Sequence, residues 1–500
     1  LLMGVTWSGS KLAFFLKGCD FRLVTKQYII GIDGGTQSTK VVIFDLEGTV
    51  ICQGKKDLRP MSLPEPGVVE HPGDDLWDTL INAARQAMEN FPGSHDEIIG
   101  IGLCTIRCCR VLLKADGELA SPVISWMDMR LARPYEHLDP EVRHVTTTTG
   151  YITHRLTGQF NDTVANYEGQ WPIDKNTWQW SKDPEIFRQF NIPREMLFNL
   201  QLPCSIAGYL TEKAAHLTGM PAGIPIVNTA NDKAVEALGA GLLPGKTALV
   251  SLGTYIASMV HGEKNISDAQ SFFSNLASVP WHYLYESGGI RRGMWTVSWV
   301  RELLGDDVAL KAKAKGISTE DYLNELGEKI PAGSDGLMTR LDWLAPPDHP
   351  FRKGVMIGFD GRHSGAHIYR SVLEGIALTI KNHADAMCAE LGLKLDNLII
   401  SGGGSNSNLF VQIFADVFGL PTYRNVVNSA AGLGAAICAA LATGVYDHYE
   451  TAIENMVRIR DSFQPDANNN KLYERMNSEV YQQITNYTDE ILKKSYPIFK

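Results

Sequence analysis

An α/β fold made of two related halves facing one another is the architecture this sequence predicts, and three stretches carry the prediction. Residues 28–50 read YIIGIDGGTQSTKVVIFDLEGTV: a strand ending at Asp33, a turn of two glycines and hydroxyl residues, a second strand, and the turn Asp45-Leu46-Glu47-Gly48 into a third. About 220 residues further on the same grammar returns, with Thr247–Leu252, Gly253-Thr254 and residues 255–260 reading as strand, Gly-Thr turn and strand. Residues 398–401, Gly402-Gly403-Gly404 and Asn408–Phe418 then read as strand, glycine loop and helix.

Taken in order, residues 1–27 stand apart. Leu12-Ala13-Phe14-Phe15-Leu16 is apolar but too short to span a membrane, and no small-residue cleavage site follows it. A vector-derived or mistranslated leader is the expectation. After the opening strands, Pro60-Met61-Ser62-Leu63-Pro64-Glu65-Pro66-Gly67 is a loop and residues 74–90 form an amphipathic helix with Leu76, Leu80, Ala83, Ala84 and Ala87 on one face. Strands are expected at 98–103 and 110–113, the second leading to the turn Ala115-Asp116-Gly117-Glu118. Residues 224–241, IPIVNTANDKAVEALGAG, read as a buried strand running into a small-residue helix. Leu243-Pro244-Gly245 divides the chain into domains at 28–245 and 246–500, and the tail beyond Asn470 is helical and amphipathic.

Composition bounds the function. A chain of 500 residues, 44% hydrophobic and 20% charged, builds a sizeable globular core. A formal charge of −10 without a long basic run argues against a nucleic-acid partner, and no other window is apolar and long enough for a membrane span. Eight cysteines are scattered without metal-ligand spacing, and Cys108-Cys109 are adjacent, so reduced thiols and a cytoplasmic location are expected.

Four stretches offer chemistry. In the first turn, Gly34 and Gly35 let the backbone approach a ligand, their N–H groups and the Thr36, Ser38 and Thr39 hydroxyls suit phosphate oxygens, and Asp33 suits a hydrated Mg²⁺. Lys40 adds a cation that is equally at home as a solvated strand-edge lysine. Asp232 stands at a strand end and a helix start, where a helix N-cap is the favoured reading on sequence alone and a general base in a cleft the functional one. Ser251-Leu252-Gly253-Thr254 is a second phosphate-sized turn, able with the first to clasp a polyphosphate. Ser401-Gly402-Gly403-Gly404-Ser405-Asn406-Ser407-Asn408 opens a helix and suits a flat purine or ribose, but it has neither GxGxxG order nor a Walker Lys-Ser/Thr.

Together these motifs resemble the FGGY carbohydrate kinase family, within the actin-like ATPase and sugar kinase superfold of two duplicated ribonuclease H-like domains around a cleft. The resemblance runs from about Tyr28 to Phe463. Gly354-Val355-Met356-Ile357-Gly358-Phe359 followed by His367-Ile368-Tyr369-Arg370-Ser371-Val372-Leu373-Glu374 is similar to the family's C-terminal signature, Ser125-Trp126-Met127-Asp128-Met129-Arg130 to its Trp-x-Asp-x-Arg segment, and Leu433-Gly434-Ala435-Ala436 to its late Gly-Ala-Ala. The resemblance implies transfer of a phosphoryl group from ATP to a sugar or polyol, a pentulose first among them. It implies Asp232 as catalytic base; Asp33 and Asp232 beside Mg²⁺; Gly35, Thr36, Lys40, Gly253, Thr254, Ser298, Gly403, Gly404 and Asn408 as nucleotide contacts; and Arg107, Cys108, Trp126 and Lys233, with Asp232, at the substrate. It allows a homodimer.

Three departures bear on the acceptor. Only twenty residues separate Arg130 from Tyr151, where relatives are longer, and an omitted loop near residues 145–149 is the expectation. Thr105-Ile106-Arg107-Cys108-Cys109 is neither the Gln-Met-His of xylulose kinases nor the Gln-Arg-Glu of glycerol kinases, and Lys233 stands where glycerol kinases carry Gln. Two other readings are a chaperone-like ATPase of the same superfold and a degenerate member that binds without turnover.

Overall fold

The computed structural model describes residues 26–169, 171–346 and 348–499. The expected leader lies, but for Lys26 and Gln27, outside the described residues.

Two sheets organise the chain. The N-terminal sheet contains β1 (Tyr28–Gly34), β2 (Ser38–Asp45), β3 (Val50–Asp57), β4 (Ile98–Thr105), β5 (Ile206–Tyr209) and β6 (Pro225–Asn228), in the order β5-β6-β4-β1-β2-β3. The C-terminal sheet contains β7 (Thr247–Leu252), β8 (Ile256–Gly262), β9 (Phe272–Leu276), β10 (Tyr283–Ser287), β11 (Asn397–Ser401), β12 (Thr422–Asn425) and β13 (Ile459–Phe463), in the order β9-β10-β8-β7-β11-β12-β13. In each half the first strand pairs antiparallel with the second and parallel with a later one: β1 with β2 and β4, β7 with β8 and β11. The duplicated topology expected from the repeated grammar is present. The strand expected at 110–113 begins at Val111 and pairs outside both sheets, with residues 144–146.

Strand periodicity decides what each face of the N-terminal sheet meets. Tyr28, Ile30, Ile32, Val41 and Ile43 point to helix α1 (Asp75–Glu89), whose Leu76, Leu80, Ala83, Ala84 and Ala87 are all buried as the helical spacing predicts. The alternate residues Ile29, Val42 and Phe44 point the other way, to helices supplied late in the chain.

Five further helices matter here: α2 (Thr148–Thr157), α3 (Asp232–Gly239), α4 (Gly293–Leu303), α5 (Gly365–Leu391) and α6 (Asn408–Phe418). Helices α7 (Ala430–Ala442) and α8 (Tyr449–Met456) cover the second face of the N-terminal sheet. Helix α7 lies against bare backbone: a Cβ on Gly31 would sit 1.9 Å from the Gly432 carbonyl oxygen, and one on Gly102 1.9 Å from that of Ala435. Glycine is required at both positions by close approach rather than by a turn. The C-terminal core gathers β7–β11, α5 and α6, together with Ala234, Val235 and Ala237 of α3, so α3 is shared between the halves. The tail is helical, burying Tyr473, Tyr481 and Ile484.

Strand His144–Thr146 passes through Thr147 straight into α2, and buried Asp162 receives the Thr147 hydroxyl at 2.7 Å. The short connection is part of the folded chain.

Candidate active site

A cavity of about 810 Å³ lies between the two sheets, where the ends of β1 and β7 face each other. Its wall includes Asp33, Gly35, Thr36, Lys40, Arg107, Cys108, Trp126, Asp232, Lys233, Gly253, Thr254, Ser298 and Gly403. Sequence reasoning placed all thirteen at a nucleotide or substrate site, and the fold brings them together. Two others are not brought to it. Gly404 is buried against Leu252 and Met294, and the Asn408 carboxamide oxygen accepts an Arg424 N–H at 2.8 Å.

Each charged group is placed by its element. Asp33 is the penultimate residue of β1, opposite Lys40 in the β1–β2 register, and their charged atoms are 3.9 Å apart. Burial pushes its carboxyl up to about 6, with Lys40 pulling down and Asp232 and Glu236 adding to the rise. Asp232 is not the cap of α3. Asn231 takes that role, its side chain accepting the Ala234 N–H at 3.0 Å. The Asp232 carboxylate is thereby left at the first helical position, facing the cavity; its side chain is 31% exposed and lines the wall of that cleft. Burial raises its pKa, while Arg107 and Lys233 oppose the rise. Cys108 holds a left-handed backbone with φ +61°, a strained conformation for a non-glycine residue, and burial pushes its thiol up to about 11, so it stays neutral. Trp126 is held by its segment: Asp128 accepts the Val69 N–H at 2.7 Å and pairs with Arg130.

Four residues that the sequence reading did not single out complete the wall or its support. Glu286 of β10 receives both terminal nitrogens of Arg107, each at 2.7 Å, and the Asn275 carboxamide at 2.9 Å. Arg107 also lies 3.7 Å from Asp232. Burial pushes Glu286 up, but Arg107 and Asn275 outweigh it and hold the carboxyl below its ordinary value. Glu236, one helical turn after Asp232, accepts the Ser251 hydroxyl at 2.8 Å, the Ser401 hydroxyl and the Lys233 ammonium at 3.1 Å. It ties α3 to the ends of both β7 and β11. Glu168 accepts the Leu276 N–H at 2.6 Å, fastening the N-terminal half to β9. Two signals were available. Glu236 shares a helix face with Asp232 at i,i+4, and Glu286 is a carboxylate inside the apolar strand YLYES, where an unpaired charge is too costly to bury.

Among the described residues no cluster of three or more His, Cys, Asp or Glu side chains could hold a metal by itself. Asp33 and Asp232, both desolvated and both on this wall, fit the sparser set of a magnesium ion whose remaining positions go to water and phosphate oxygens.

The comparisons with known proteins agree with this geometry. The model of the FGGY family of carbohydrate kinases, C-terminal domain, matches residues 248–443, and that of its N-terminal domain matches 28–144 and 136–239. The chain is 53% identical to the uncharacterized sugar kinase YgcE of Escherichia coli K12, over 95% of this chain and 96% of that one. It is 24% identical to autoinducer-2 kinase of Photorhabdus laumondii, over 93% and 95%. It superposes on the crystal structure of xylulose kinase from Rhodospirillum rubrum with a TM-score of 0.79 at 23% identity, covering 93% of this chain and 100% of that one. The chain belongs to the FGGY family of carbohydrate kinases, phosphotransferases with an alcohol group as acceptor. The alignment with YgcE takes 475 positions for 95% of this chain, leaving no room for a long insertion, whereas that with autoinducer-2 kinase takes 513 for 93%. The short stretch before Tyr151 is therefore compatible with its 53%-identical relative.

Proposed function

We propose that this protein transfers the γ-phosphoryl group of ATP to a hydroxyl of a ketose or polyol, a pentulose being our first choice, with Asp232 as general base. The observation that carries the reading is the shared wall: two desolvated carboxylates, Asp33 and Asp232, face the Gly253-Thr254 turn across one cavity.

The residues divide the work. Gly35, Thr36, Gly253 and Thr254 offer backbone N–H and hydroxyl donors to phosphate oxygens from both halves. Gly403, open on its side-chain face, and Ser298 line the end suited to the nucleoside. Asp33 and Asp232 would hold magnesium, which when bound neutralises phosphate charge. Asp232 takes the proton of the acceptor hydroxyl, and its raised pKa makes it a stronger base than an ordinary aspartate. Lys233 is fixed against Glu236 and Ser251, with its ammonium 2.6 Å from the Ser251 hydroxyl. Trp126 gives the acceptor an aromatic wall. The cysteines among the described residues are all free, which suits work in the cytoplasm.

The test is sugar-stimulated ADP release across ketoses, aldoses, polyols and sugar acids, repeated with Asp232→Ala. Stimulation that vanishes in the variant supports the reading. Release indifferent to every sugar, or kept in full by the variant, sinks it, and stimulation by peptides would point to a chaperone-like ATPase instead.

A further inference from the structure

The charges on the cavity wall are unevenly matched, and the imbalance falls at the acceptor end. Among the described lining residues four are acidic (Asp33, Asp232, Glu236 and Glu286) and three are basic (Lys40, Arg107 and Lys233). Each cation already has a carboxylate: Lys40 has Asp33 at 3.9 Å, Lys233 has Glu236 at 3.1 Å, and Arg107 has Glu286 at 2.7 Å with Asp232 at 3.7 Å. The Arg107 pair is the tightest. Its two terminal nitrogens meet the two Glu286 oxygens in a fork, the Glu286 side chain is only 3% exposed, and Asn275 donates to the same carboxylate.

A guanidinium beside the reacting hydroxyl would ordinarily invite a carboxylate ligand. Here the protein's own carboxylate occupies that fork. A sugar acid that sought Arg107 would have to displace Glu286 and strand a buried charge, or leave its own carboxylate facing Asp232. A hydroxyl makes no such demand. It can use the spare N–H groups of Arg107 or the carboxylate lone pairs without breaking the pair.

We infer that Glu286 is a specificity-determining residue: by holding Arg107 it restricts the acceptor to uncharged sugars and polyols and excludes aldonates and uronates. The inference rests on the kinase reading above and narrows its substrate class.

Paired compounds of equal length test it: xylitol against D-xylonate, D-sorbitol against D-gluconate, and D-fructose against D-fructuronate. Each is assayed by ADP release with saturating ATP and magnesium, and for binding by thermal shift, in wild type and Glu286→Gln. In wild type the neutral member of any pair that supports turnover is favoured by about 100-fold in kcat/KM. In Glu286→Gln, which keeps the shape but removes the charge, that ratio narrows by about tenfold, chiefly through a lower KM for the acid, with the KM for ATP unchanged. A wild-type preference for the acid member, or a ratio unmoved by Glu286→Gln in a folded protein, overturns the inference and leaves the kinase reading standing. The wild-type ratio needs no variant, so misfolding of Glu286→Gln does not shield the inference. Absence of turnover with these compounds and with the full panel of ketoses, aldoses, polyols and sugar acids strikes the kinase reading instead. Thermal shifts still rank acid against neutral binding in that case, and a larger shift with the acids overturns the charge argument by itself.

Discussion

In the N-terminal half β1 ends in Asp33-Gly34-Gly35-Thr36; in the C-terminal half β7, holding the same place in the same topology, ends in Ser251-Leu252-Gly253-Thr254. Both present a glycine and a threonine to one cavity, and they differ in the residue at the strand end. On the N-terminal side that residue is a carboxylate, joined by Asp232 at the start of α3. On the C-terminal side it is a hydroxyl, joined by Ser401 and an open glycine loop. Duplication of the fold thus brings a Gly-Thr turn to the cavity from each half, and the side chain at each strand end sets the charge beside it. The carboxylate strand end suits cation and proton, while the hydroxyl strand end suits a flat neutral base. Glu236 crosses from the first half to the second and accepts hydroxyls from both Ser251 and Ser401.

The division can be broken from either side. The largest effect is expected where the carboxylate side acts on the proton: Asp232→Asn should lower kcat by about 10³-fold, roughly 4 kcal/mol of barrier, while sugar binding by thermal shift persists. Making the hydroxyl strand end imitate the carboxylate one should be nearly as costly. Ser251→Asp sets a second buried carboxylate against Glu236 and removes a donor from it, so chemical denaturation should show a loss of about 3 kcal/mol.

Glu168 tests the seam between the halves. Burial pushes its carboxyl up to about 7, although Lys175 and Arg107 pull it down. Its ordinary value is 4.5, so between the two the folded state binds more protons than the unfolded one. Stability from this group is complete below the lower value and falls as pH rises to the upper, by up to about 3 kcal/mol. Glu168→Gln keeps an acceptor for the Leu276 N–H and should flatten the decline in melting temperature between pH 5 and pH 8. Asp33 and Asp162, both pushed up to about 6, contribute to the slope that remains. The smallest effect belongs to the glycine loop beside the hydroxyl strand end: Gly403→Val fills open space on the proposed nucleoside wall and should raise the KM for ATP about tenfold, about 1.4 kcal/mol, with stability unchanged.

Much of this was legible in the residues, for identifiable reasons. The strand periodicity of Tyr28–Gly34 and the helical spacing of residues 75–89 are local signals, and both elements form as read. The two Gly-Thr turns were legible because the same short pattern recurs after a strand. Asp232 shows where local reasoning stops. Its position suited a cap, yet Asn231 one residue earlier fills that role, and only the packed geometry reveals which of two adjacent cap formers is free. The fork between Arg107 and Glu286 joins residues 179 positions apart, a pairing no local pattern encodes. Asn408 shows the converse: its place beside a glycine loop suggested a ligand contact, and the folded chain turns its carboxamide oxygen to Arg424 on β12, outside the cavity wall.

The bare backbone of Gly31 and Gly102, on which α7 rests, has a consequence in time. A chain emerging from the ribosome delivers β1, β2 and β4 early and α7 almost last. Until residues 430–442 are made, Ile29, Val42 and Phe44 lack the α7 and α8 part of their packing, and one face of the N-terminal sheet stays partly open for most of synthesis. The nascent N-terminal half therefore carries an apolar sheet face whose main cover comes from a distant part of the sequence. The arrival of α7 and α8 completes the first sheet.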